Sequence, residues 1–120
     1  MEPTNNKPVI LQKLRRSEGS VFSKAEKYYS ILSAVNDLKL TNREVELVAF
    51  TAVKGNISYA NIRKEFCDEF KTSSATINNI ISKLKKVGVL VKDGTKVKVN
   101  PVIVLDFSKD VTLEIKLTNG

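Results

Sequence analysis

The stretch Ser73–Asn100, SSATINNIISKLKKVGVLVKDGTKVKVN, changes its hydrophobic period midway. Up to Val87 the apolar residues recur at helical spacing, and after Gly88 they alternate. The spacing predicts a helix over Ser74–Val87, capped by Ser73 or Ser74 and ended by Gly88. Lys92-Asp93-Gly94-Thr95 then reads as a hairpin turn, with both central residues of Asp-Gly expected at positive φ. Lys96 to Val104 returns as a strand, loosened at Pro101, which has no N–H for the ladder.

On a wheel of about 100° per residue, Ile77, Ile80, Ile81, Leu84 and Val87 gather into one buried face. The opposite face carries Ala75, Asn78, Asn79, Ser82 and Lys86, flanked by Lys83 and Lys85, with Thr76 beside Lys83. That outer face holds no acid, whereas a solvated helix usually mixes signs. Small residues allow close approach, Asn can pair two ways with adenine, and Lys neutralises phosphates. Asn, Ser and Lys are also ordinary surface residues. What favours a groove-binding role is the hairpin that follows, where Lys92, Lys96 and Lys98 are placed to meet a neighbouring phosphate or the minor groove. From Lys71 to Lys98 seven lysines face a single Asp93, +6 in 28 residues, so most of the chain's net +7 is concentrated here.

Upstream, three more helices are expected. The first starts near Ser23 with Ala25, Tyr28, Leu32 and Val35 on one stripe. The second opens with Thr41-Asn42-Arg43-Glu44, a capping box in which Thr41 and Glu44 satisfy each other's backbone amides. Val45, Val48, Ala49, Ala52 and Val53 form one face of it and Leu47 and Phe50 the other, so it is expected to be covered on two sides; Lys54-Gly55 closes it. The third runs from about Tyr59 to Phe70, capped by Ser58, with Tyr59, Ile62, Phe66, Cys67 and Phe70 inward. Cys67 reads as a small core residue.

Residues 1–22 read either as a basic arm or as a frayed terminus: Lys7, Lys13, Arg15 and Arg16 stand against Glu2 and Glu18, and Pro3 and Pro8 disfavour a regular element. Residues 23–107 form the expected domain. Residues 108–120 follow as a turn at Ser108-Lys109-Asp110 and a half-buried strand with Val111, Leu113, Ile115 and Leu117 on one face.

Composition excludes several chemistries. With 120 residues and 42% hydrophobic content the chain has the make-up of one globular domain. It contains no His, so an imidazole base or His-ligated metal is ruled out, and one Cys excludes an internal disulfide or a cysteine-rich zinc site. The absence of disulfides fits a reducing cytoplasm. No apolar h-region opens the chain, and no apolar run reaches about 18 residues, so neither a secretory signal nor a membrane span is expected. Asp106, Asp110 and Glu114 have no companion nucleophile or phosphate-cradling glycines, so no enzymatic activity and no cofactor are expected. The basic helix lacks the large apolar border that surface binding to a membrane needs.

Three helices, the last ending in Leu-Lys-Lys-Val-Gly-Val-Leu, followed by an Asp-Gly hairpin, resemble the winged helix-turn-helix superfamily. Residues 73–100 are similar to the recognition helix and wing of MarR-type regulators and related phage and plasmid proteins. The resemblance spans roughly Leu40 to Asn100. It implies an α+β fold of about four helices, a hairpin wing and a C-terminal strand. It also implies that Ser73, Ser74, Thr76, Asn78, Asn79, Ser82 and Lys83 face DNA, with Lys96 on the wing. LTNREVELVAF and TINNIISKLKKVGV also look like LuxR-type domains, but those continue into a short helix, and the alternation after Gly94 departs from them.

The expected partner is therefore double-stranded DNA, and the expected role a transcription regulator or replication factor of phage or plasmid type. A homodimer or larger homo-oligomer would form through the Tyr28 helix, the Leu47/Phe50 face or the C-terminal strand. The alternative is a phage virion or assembly component, in the host cytoplasm or the virion, that uses the module for protein–protein packing through the arm and the Val111–Leu117 strand.

Overall fold

A computed structural model describes residues 20–109. Residues 20–22 of the expected arm belong instead to the first helix; its residues 1–19, and the whole expected strand with Val111 to Leu117, lie outside the described residues. Within them the architecture is α+β: four helices, α1 (Ser20–Val35), α2 (Asn42–Lys54), α3 (Ala60–Phe70) and α4 (Ser74–Lys86), precede one antiparallel hairpin of β1 (Leu90–Asp93) and β2 (Lys96–Val99). A single turn of 3-10 helix, Pro101–Ile103, follows.

The α2 helix lies at the centre because its sequence is apolar on two sides. Leu47, Val48 and Ala49 are fully buried, and Val45 and Phe50 nearly so. The Leu47/Phe50 face is thus consumed inside the fold and is not free to pair two copies. The opening Thr41–Glu44 box forms as the sequence predicts: Thr41 Oγ1 accepts from the Glu44 amide at 3.2 Å, and Glu44 Oε1 accepts from the Thr41 amide at 2.8 Å. Val53, expected inward, is exposed because α2 reaches its last turn there.

The α1 helix begins at Ser20, three residues before the expected start. Of the predicted stripe Ala25 is fully buried and Val35 is 56% exposed; the largest buried side chain of the helix is Tyr29, which lies outside that stripe. Tyr29 turns inward because its hydroxyl has a partner there, donating to the Ile103 carbonyl at 2.9 Å. Burial, with a smaller push from neighbouring Tyr28, raises its phenol pKa. Both tyrosines pack against Phe107. A second aromatic group joins Phe50, Phe66 and Phe70 where α2 meets α3, with Phe22 of α1 against Phe70.

The α3 helix departs from expectation at its start. Tyr59 is the cap residue, 47% exposed, and makes no side-chain capping bond. Ser58 does not cap either, because its hydroxyl is taken by the Val97 amide. Asn56 organises this turn, its Oδ1 accepting from the Ser58 and Tyr59 amides. Cys67 is only half-buried, at the margin of the core.

The hairpin register pairs Leu90 with Val99, Val91 with Lys98, Lys92 with Val97 and Asp93 with Lys96. The central turn residues are therefore Gly94 and Thr95, one position later than expected. Gly94 alone takes positive φ (65°), so one left-handed residue, supplied by the residue that adopts it freely, is enough. Val97 sends its backbone groups away from β1: its carbonyl accepts from the Ile57 amide and its N–H goes to Ser58. The α2–α3 connection thereby covers the free edge of β2. The strand ends at Val99, five residues short of the expected Val104. Asn100 ends it, its amide donating to the Val89 carbonyl and its Oδ1 accepting from the Val102 amide to start the 3-10 turn.

Candidate nucleic-acid interface

The α4 helix is capped by Ser73, whose Oγ accepts from the Thr76 amide at 3.2 Å. Ile77, Ile80, Ile81 and Leu84 are buried, which fixes the rotation of the helix and turns the opposite face outward. Ala75, Asn78, Asn79, Ser82 and Lys86 are all exposed, and the helix stops at Lys86.

Both flanks of that face are tied to neighbouring helices. On one, Lys83 Nζ donates to both oxygens of Glu44, each at 2.9 Å. Glu44 is only 8% exposed although it carries a charge. Burial pushes its carboxyl pKa up, but the Lys83 hydrogen bonds, the Thr41 amide and hydroxyl and the nearby ammonium charge outweigh this. Its pKa ends below the ordinary value. On the other flank, Arg63 of α3 donates from Nη1 to Asn78 Oδ1 at 2.6 Å and from Nε to the Ile57 carbonyl at 3.0 Å.

On the hairpin, Leu90 and Val99 face the core, and by the two-residue period Lys92 and Val97 share their side. Asp93, Lys96 and Lys98 lie on the other. Lys98 Nζ meets Asp93 Oδ2 at 2.8 Å, and this hydrogen bond, with the lysine charge, lowers the Asp93 pKa.

The sequence-predicted residues thus divide. Ser73 serves the cap, and Thr76 joins it, accepting from the Ser73 hydroxyl at 3.1 Å. Asn78, Lys83 and Lys98 are engaged within the protein. Ser74, Asn79, Ser82, Lys86, Lys92 and Lys96 are exposed, and among the described residues their side chains have no hydrogen-bond or salt-bridge partner. Lys85 shares that condition. Sequence reasoning missed Arg63 and the second role of Glu44. Nothing local marks Arg63, and the capping box accounted for Glu44 without pointing to Lys83, 39 residues away.

No family model matches the chain, and neither a curated protein nor a solved structure matches it. Among the described residues no helix is long and apolar enough to cross a membrane, and no three His, Cys, Asp or Glu side chains are grouped to hold a metal ion.

Proposed function

We propose that the chain is a double-stranded DNA-binding protein of winged helix-turn-helix layout, with α4 entering the major groove and the β1–β2 hairpin lying on the backbone as a wing. One observation carries this reading: the outward face of α4 is free of acid and leaves Asn79, Ser82, Lys85 and Lys86 without partners among the described residues. A hairpin bearing exposed Lys92 and Lys96 follows immediately. An acid-free cationic surface is attracted to phosphates and gains affinity by releasing their counterions. An amide and a hydroxyl between small residues supply base-edge contacts. One copy suffices to dock the helix; two are needed only for a palindromic site.

Fluorescence anisotropy with a short labelled duplex tests the reading. Saturable binding is expected at about 50 mM salt, weakening steeply as salt rises. Replacing Lys86 or Lys96 by Ala should weaken binding to every duplex and reduce the salt slope by about 0.9 per lost phosphate contact. No duplex binding in low salt would overturn the proposal.

A further inference from the structure

The two adjacent asparagines of α4 are not equivalent. An arginine has only donors, so the amide of Asn78 must turn its oxygen toward Arg63, which holds it at 2.6 Å. Arg63 is in turn fixed by the Ile57 carbonyl. A side-chain amide reads adenine with both ends, its nitrogen donating to N7 and its oxygen accepting from N6. Asn78 has its oxygen committed to a cation within the protein. Asn79 has both ends free among the described residues and points away from the buried Ile77/Ile81 side.

Lys83, committed to Glu44, is withdrawn on the opposite flank in the same way. Between these two tied flanks lies one outward strip: Ala75, Asn79, Ser82 and Lys86. These are spaced four, three and four residues apart and span about 16 Å of helix. The strip carries one amide, and one turn N-terminal to it sits a methyl group suited to contact the methyl of a thymine.

Resting on the duplex-binding reading above, we propose that Asn79 is the base-reading residue and that it selects adenine in the major groove. Asn78 and Arg63 are positioning residues that orient α4 against α3. The ligand class is therefore duplex DNA with an adenine at the centre of the footprint.

The test begins by selecting the best-bound sequence from a pool of randomised duplexes with the full wild-type chain. Affinities are then measured for that duplex and for versions with each A·T pair changed to G·C. For the wild type, one such change should lower affinity about 10-fold or more. Asn79→Ala should lose that discrimination, binding both duplexes within about 2-fold of each other. Asn78→Ala and Arg63→Ala should weaken all duplexes alike and keep the preference. Asn78→Asp retains the acceptor for Arg63; it should also keep the adenine preference, whereas a base-reading Asp would shift it toward cytosine.

The inference is overturned if Asn79→Ala, shown by its melting curve to be folded, keeps full adenine discrimination. It is equally overturned if Asn78→Ala or Asn78→Asp abolishes that discrimination. Wild-type binding with no sequence preference overturns it while leaving duplex binding standing. Absence of duplex binding overturns the proposed function and this inference with it.

Discussion

Glu44 performs two tasks with one carboxylate. It closes the N-terminus of α2 and receives Lys83 from α4, so the start of one helix is tied to the flank of another. Replacing it by Ala removes the cap reach and the ion pair together, and a loss of about 1–2 kcal/mol is expected in urea denaturation. Its folded pKa lies below the ordinary carboxylate value. The stabilisation is therefore fully present above the unfolded-state value and is lost as pH falls through the lower folded value. The difference in stability between wild type and Glu44→Gln should be largest near neutrality and should shrink on acidification. Asp93 and Asp106 also have lowered pKa values, but they are common to both proteins and cancel in the comparison. A difference that does not change with pH would contradict this role. At this scale the sequence was half legible. A capping box lies within four consecutive residues and announces itself, whereas the partners of Lys83 and Asn78 come from other helices and leave no local pattern.

At the scale of elements, α4 and the hairpin depend on the residue between them. Gly88 sits at φ 82°, where a side chain strains the backbone. A Cβ added there would meet nothing within 4 Å. Any cost of Gly88→Ala is thus conformational and not steric. It should be about 1–2 kcal/mol, seen as a lower denaturation midpoint with an unchanged m-value. An unchanged midpoint would show that the left-handed link is not required. The switch from helical to alternating period made this junction readable, as did the isoleucine face of α4, because both are short-range consequences of burial. The finer geometry was not. The turn is centred on Gly94-Thr95, β2 stops at Asn100, and Ser58 is drawn from α3 to the Val97 amide. Each of these is decided by a hydrogen bond between segments distant in sequence.

Across the whole molecule, one continuous core orders the parts. Residues from α1, α2, α3, α4 and both strands contribute to it. The same burial that seats Ile77 and Leu84 sets which side of α4 looks out. The aromatic groups pack Phe66 of α3 against Phe50 of α2, and Tyr29 of α1 against Phe107. Function, in this account, rests on a division of labour across α4. Its inner face builds the core, its flanks are tied to Glu44 and Arg63, and the narrow strip between them is left for DNA. Backbone amide chemical-shift mapping by NMR, as a duplex is added to the labelled protein, tests this most directly. The perturbations are expected to concentrate on residues 74–86 and 92–98. Perturbations that spare these residues and gather instead on exposed Val102, Val104 and Leu105, or on the outer side of α1 around Ile31 and Val35, would overturn it.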